Sequence, residues 1–140
     1  MQPVPEKYAK DYLLEKFNPK AISGYYNILM MHQSIVEYLP FEDEMIATIS
    51  LSDLPSDFDL IVNGHLHWSS IVDLPQGSKF LLPGSTVTTQ IKKKETEKPK
   101  GYFVLDTNTK EFEFFEIEGV RKTYYLDIKF TKKTTATEII

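Results

Sequence analysis

Two short apolar runs each hand over directly to histidine, and this constrains the fold more than any other feature of the chain. The first, about Tyr26 to Met31, is followed by His32. The second, about Leu60 to Asn63, is followed by Gly64-His65-Leu66-His67. Runs with apolar residues at consecutive positions predict strands covered on both faces, as in a parallel or mixed sheet. The chain has three histidines, so every one of them stands at the carboxyl end of a predicted strand. In open α/β sheets that is where ligands bind. One histidine so placed would read as a core imidazole hydrogen-bonded to backbone. Three together read as ligands to a divalent metal, because imidazole is the commonest neutral metal ligand. Gly64 is expected to let the chain turn sharply as the strand ends. His65 and His67 would then reach either one ion or two neighbours about 3.5–4 Å apart.

Composition sets the bounds of this reading. At 140 residues, 41% hydrophobic and 13% aromatic, the chain is one folded domain or a piece of one. It contains no cysteine, so disulfides are excluded and any metal must be held by nitrogen and oxygen ligands. No apolar run approaches the ~20 residues of a membrane span. Met1 to Lys10 has no signal-peptide apolar core, so a cytoplasmic protein is the expectation. The net charge of −4 argues against broad charge-driven nucleic-acid binding by this chain alone. A phosphate substrate stays possible, because bound divalent metals supply local positive charge.

The remaining segments predict an α/β chain that changes character half-way. Pro5 to about Phe17 reads as an amphipathic helix with Ala9, Leu13 and Phe17 at i, i+4 spacing, stopped by Asn18-Pro19. Ser34 to Tyr38 is a predicted helical turn, and Phe41 to Asp57 is mixed and acidic. After His67 come predicted strands over Ser70–Asp73, Lys79–Leu82, Gly101–Asp106, Glu111–Ile117 and Thr123–Phe130. Gln76-Gly77 and Asp106-Thr107-Asn108 are turn signals. The last strand alternates, with Tyr124, Leu126, Ile128 and Phe130 on one face. In the strand before it the pattern switches at Phe114 and Phe115, which predicts a β-bulge. Residues 131–140 have no clear pattern.

Other features bear on chemistry more weakly. Leu82-Pro83-Gly84-Ser85 reads as a tight turn, or as a turn that packs behind a metal site and offers it N–H or hydroxyl groups. Trp68 either stacks on a base or packs against the sheet. Lys92, Lys93 and Lys94 either contact phosphate or form a solvated hairpin tip interrupted by Glu95 and Glu97. Glu42, Asp43 and Glu44 read as an acidic first turn of a helix.

Several of these segments share an order with a known family. Asn27-Ile28-Leu29-Met30-Met31-His32-Gln33 comes first, then Ser52-Asp53-Leu54-Pro55 and Phe58-Asp59 leading into Gly64-His65-Leu66-His67. Pro83-Gly84-Ser85 and Lys100-Gly101-Tyr102-Phe103-Val104 follow. In this order the chain, from about Tyr25 to Phe130, resembles the later part of a calcineurin-like metallophosphoesterase. It is most similar to the double-strand-break repair nucleases of the SbcD type in their archaeal and eukaryotic form. His-Gln at the first site, and Leu66 inside the histidine pair, favour that nuclease over the small phosphodiesterases of the superfamily.

The resemblance implies the second half of a β-sandwich flanked by helices, a mixed sheet followed by antiparallel strands. It implies residues 1–130 as the C-terminal portion of a phosphoesterase domain, and residues 131–140 as a tail or the start of a cap, with Arg121 at the junction. It implies two manganese ions in the complete domain, with His32 and His65 on one and His67 on the other, supported by Gly64, Pro83, Gly84 and Ser85. The implied substrate is DNA ends or hairpins, cut by exo- or endonuclease action, and the implied partner is an SMC-like coiled-coil ATPase. The implied location is cytoplasmic, at the nucleoid in a prokaryote. The family's Asp-x-His, Gly-Asp-x-x-Asp and Asn-His-Asp motifs do not occur in this sequence. They carry the bridging carboxylate, most ligands of the first metal and the histidine general acid, so no residue here is assigned that catalytic role. The expectation is a chain inactive by itself, which exposes apolar sheet surface and needs the missing half or self-association. Two other readings stay open: a phosphoesterase for small phosphodiesters, and a non-catalytic β-rich interaction module with structural histidines.

Overall fold

The computed structural model describes residues 1–39 and 48–129. Glu42, Asp43, Glu44, Phe130 and the expected tail lie outside them. Six of the seven predicted strands appear within a residue or two of their expected bounds: β1 (Ile28–Met31), β2 (Leu60–Asn63), β3 (Ser70–Asp73), β4 (Lys79–Leu82), β5 (Gly101–Asp106) and β6 (Glu111–Glu116). The first four form a mixed sheet in the order β1-β2-β4-β3. β1, β2 and β4 are parallel, and β3 returns antiparallel to β4. The last two form an antiparallel hairpin. The architecture is α/β with one mixed and one antiparallel sheet.

Register explains where the core sits. Leu29, Ile61 and Phe80 stand side by side across the three parallel strands, and Val72 faces Phe80 from β3. This face joins Met31, Leu82, Ile35, Ile49, Leu54 and Phe58 in one apolar cluster with Ala9 and Leu13 of the N-terminal helix. That helix starts after Pro5 as α1 (Glu6–Asp11) and continues as a π-helical stretch over Tyr12–Phe17. It ends where Asn18 takes φ 35°, a left-handed cap that asparagine tolerates. The helix docks through Lys10, whose Nζ lies 2.7 Å from the Asp53 carboxylate. Asp53 also accepts the Ser50 N–H (3.0 Å) and hydroxyl (2.8 Å), closing a capping box around a short 3-10 turn.

Four expectations are corrected. β1 is not covered on both faces: Leu29 and Met31 are buried, but Ile28 and Met30 are exposed, Met30 by 67%. β1 is an edge strand, whereas the inner strands β2 and β4 do bury Leu60 and Leu81 on that second face. There is no bulge in β6, which pairs residue for residue with β5. The irregular pattern arises because aromatic residues occupy both faces: Phe114 packs on Phe103, and Phe115 stacks on Tyr102. Residues 123–129 form no strand, and Tyr124, Leu126 and Ile128 are exposed. Alternation sets which way side chains point, but a strand also needs a neighbour to take its backbone bonds, and neither sheet offers one there. Finally, Lys92 to Lys94 are not a hairpin tip: Lys93–Thr96 form a one-turn helix, α2, with Glu95 buried beneath it.

No described helix is long and apolar enough to cross a membrane. Exposed apolar side chains occur along much of the chain, among them Ile28 and Met30 on β1 and Tyr102, Val104 and Phe115 on the hairpin.

The Asp53 anchor has a defined pH signature. Burial would raise its carboxyl, but the bonds from Lys10 and Ser50 outweigh that and hold it below its ordinary value of 3.8. Its stabilisation is therefore complete above that value and disappears as pH falls through the lower, folded-state value. Asp53→Asn is expected to cost about 1 kcal/mol at pH 7. In urea unfolding at successively lower pH, the gap between wild type and variant should close on strong acidification.

Candidate metal-binding rim

Parallel pairing of β1 and β2 places residues 32 and 64 at one rim of the sheet, since Met31 pairs with Asn63. The ladder runs one step further, with the Gly64 N–H donating to the Met31 carbonyl at 3.0 Å. Beyond it the two loops are clamped by the fully buried Asn63 amide. Its Nδ2 donates to the Gln33 carbonyl (2.7 Å), and its Oδ1 accepts the Gln33 N–H (3.1 Å) and, at 3.4 Å, the His65 N–H. The His32 and His65 rings consequently meet edge to face, with centroids 5.2 Å apart.

His65 is half-buried and tied to the N-terminal helix. Its Nε2 lies 3.1 Å from the Ser34 hydroxyl, which donates to Glu6 at 2.5 Å. Gln33 brackets the same carboxylate, donating to Glu6 (3.4 Å) and exchanging two bonds with the Val4 backbone. Burial, then the neighbouring His32, hold the His65 imidazole below its ordinary value; His67 and Lys92 act the same way, against Glu6. Glu6 would be raised by burial, but hydrogen bonds from Ser34, Thr48 and Gln33, with His65 nearby, hold it low.

His67 is anchored by a different set of groups. Its carbonyl accepts two donors, Lys100 Nζ (2.8 Å) and the Ser85 N–H (3.2 Å), while the Ser85 hydroxyl donates to the Val87 carbonyl at 2.6 Å. Its Nδ1 lies 2.5 Å from the Thr89 hydroxyl and 3.6 Å from Glu95 Oε2. Beneath it Glu95 and Lys100 form a buried ion pair at 3.0 Å. Glu95 also accepts the Thr89 and Gln90 N–H groups at 2.7 and 3.2 Å. Burial would raise the Glu95 carboxyl, but the Thr89 backbone bond and Lys100 outweigh it and keep the group ionised.

The supporting residues divide by role. Gly84 sits at φ 76°, and an added Cβ would come within 2.9 Å of Ser69 N and 3.0 Å of the Trp68 carbonyl carbon. The Pro83-Gly84-Ser85 turn thus packs directly on the backbone that carries His67. Gly64 differs from expectation. Its φ is not positive, and an added Cβ would meet only His32 Nδ1 at 3.4 Å. The ladder bond and the Asn63 clamp shape this corner, so glycine's freedom is not needed. Trp68 is half-buried, with Lys94 Nζ 5.3 Å above its ring. Lys93 faces Glu97. The positions that sequence reasoning missed are Glu6, Ser34, Asn63, Thr89, Glu95 and Lys100. Only Asn63 carried a sequence signal, as a polar residue closing an apolar strand, where burial demands hydrogen-bond partners.

Three neutral imidazoles suit a borderline divalent cation in donor chemistry. In number they do not close a site: among the described residues no group of three or more His, Cys, Asp or Glu side chains is placed to hold a metal. The structure brings His32 and His65 together, while His67 turns its Nδ1 towards Thr89 and Glu95.

Comparison with known proteins gives this rim a context. No protein-family model matches the chain. It is 30% identical over 122 residues to the DNA double-strand break repair protein Mre11 of Methanococcus maripaludis. The match spans 85% of this chain and 30% of that protein. It is 51% identical over 59 residues to the protein of the same name from Sulfolobus acidocaldarius, a match covering 42% of this chain and 15% of that one. The chain is related to the Mre11/SbcD-type metallophosphoesterases. It spans less than a third of the length of these relatives.

Three substitutions test the construction of the rim. Asn63→Leu strands the buried Gln33 N–H and carbonyl, and is expected to cost about 2–3 kcal/mol. Gly84→Ala should lose at least about 1–2 kcal/mol from the left-handed backbone alone, while Gly64→Ala should stay within about 0.5 kcal/mol. Denaturant midpoints of the three variants check the ranking.

Proposed function

We propose that the chain is part of a manganese-dependent DNA nuclease acting in double-strand-break repair. The observation that carries this reading is the meeting of His32 and His65 at one strand rim, 5.2 Å apart, in a chain related to Mre11 repair proteins. In this reading His32 and His65 serve one ion and His67 a second, with the other ligands supplied from outside the described residues. Such ions, when bound, supply an activated water and neutralise charge on a phosphodiester.

This chain's own residues orient the donors and provide no general acid, since each histidine is committed as a ligand. The reading therefore includes an incomplete centre and a chain inactive by itself. Its substrate class is DNA ends, cut by exo- or endonuclease action. Lys92, Lys93, Lys94 and Trp68 are proposed to lie along the DNA path beyond His67. The exposed apolar faces of β1 and of the hairpin support a need for further protein, either the remainder of the phosphoesterase domain or a second copy. An SMC-like coiled-coil ATPase is the proposed larger partner.

Manganese titration followed by electron paramagnetic resonance tests the ligand assignment. The wild-type chain should bind weakly, and His65→Ala and His32→Ala should each weaken binding at least about tenfold. Binding unchanged by either substitution would favour a non-catalytic module. The 140-residue chain should not cut a DNA oligonucleotide with manganese present, and cleavage would overturn the proposed inactivity.

A further inference from the structure

We propose that two carboxylate–hydroxyl–imidazole relays hold His65 and His67 in opposite neutral tautomers, leaving Nδ1 of His65 and Nε2 of His67 as the free electron pairs. The argument is a count of protons. A hydroxyl has one hydrogen to donate and lone pairs to accept with. Ser34 Oγ lies 2.5 Å from Glu6 Oε1 and 3.1 Å from His65 Nε2. A carboxylate can only accept, so the Ser34 hydrogen goes to Glu6; the reverse would set two acceptors against each other at 2.5 Å. Ser34 must then accept from His65, which places the imidazole proton on Nε2 and clears Nδ1.

The second relay runs the other way round the ring. Thr89 Oγ1 lies 3.1 Å from Glu95 Oε1 and 2.5 Å from His67 Nδ1. Sending the threonine hydrogen to His67 would set the Thr89 oxygen against the ionised Glu95 carboxylate at 3.1 Å; we therefore give it to Glu95, so that Thr89 accepts from His67 and the imidazole proton sits on Nδ1. The 3.6 Å approach of Glu95 Oε2 to the same nitrogen favours the same form. Glu95 is itself fixed as an acceptor by its buried pair with Lys100. Ser34 and Glu95 are both more than nine-tenths buried, which limits competition from solvent at these two links.

The relays begin on unrelated parts of the chain, one on the N-terminal helix and the other on α2. Glu6, Ser34, Thr89 and Glu95 thereby become positioning residues, acting on the imidazoles rather than on any ligand. A hydrogen bond at one ring nitrogen decides which nitrogen can coordinate. The tautomers stand on hydrogen-bond geometry alone. Their use, with Nδ1 of His65 and Nε2 of His67 turned towards cations, rests on the function proposed above.

Long-range proton–nitrogen correlation spectra of the nitrogen-15-labelled full chain at about pH 8, where imidazole is neutral, read the tautomers directly. His65 should show its proton on Nε2 and His67 on Nδ1. His67 is the sharper test, because free histidine prefers the Nε2 form. Ser34→Ala should release His65 into a tautomer mixture and leave His67 unmoved; Thr89→Val should do the converse. Ser34→Thr and Thr89→Ser should keep the wild-type pattern. A wild-type spectrum with His65 protonated at Nδ1, or His67 at Nε2, overturns the proposal without any variant having to fold. So does a His65 tautomer unmoved in a folded Ser34→Ala protein. Manganese titration of the same sample separates the two ideas. Correct tautomers with no metal binding would sink only the nuclease reading; wrong tautomers with intact binding would sink only the relays.

Discussion

The rim of this protein depends on one buried side chain, the Asn63 amide. Backbone pairing of β1 with β2 carries the chain only to the last strand residues, and the histidines lie beyond it. Asn63 spans the gap by acting as donor and acceptor to the Gln33 backbone and as acceptor to the His65 N–H. In a fully buried position those bonds cannot be replaced by water, so the two loops have one low-energy arrangement. The approach of His32 to His65 follows from it, and the edge-to-face contact is a consequence rather than a cause.

A second buried polar system performs the same task for His67 by different means. The Glu95–Lys100 pair lies outside the main sheet, and a buried pair is seldom a net source of stability. Its effect here is geometric. Lys100 and Ser85 converge on the His67 carbonyl, Glu95 receives Thr89, and Gly84 lets the turn press against the same backbone. Two independent frames, one built from the N-terminal helix and β2, the other from α2 and the turn after β4, thus meet at one rim.

The strands were legible because their patterns were local. Leu60–Asn63, Ser70–Asp73 and Lys79–Leu82 appear with the bounds their apolar patterns predict, and the Asn18 stop and the Gly77 turn follow from backbone preferences of single residues. The failures share a cause. The bulge at Phe114, the strand after Thr123, the two-sided cover of β1 and the sharp corner at Gly64 each needed knowledge of what lies beside the segment. Pattern does not carry that. Likewise Glu95 reads in sequence as one more charge among lysines, and becomes a buried anchor only because Lys100 folds back beneath it.

By itself the sequence determined the strand segments, the placement of all three histidines after strand or strand-like runs, and the resemblance that relates the chain to Mre11 repair proteins. These are properties of residue type and spacing along one dimension. Only the tertiary structure decided that His32 and His65 meet while His67 turns its Nδ1 to Thr89, and that Glu6, distant in sequence, reaches His65 through Ser34. The reason is physical: hydrogen-bond direction depends on where two donors and acceptors stand in space, and that is set by strand pairing and burial rather than by neighbours in the chain.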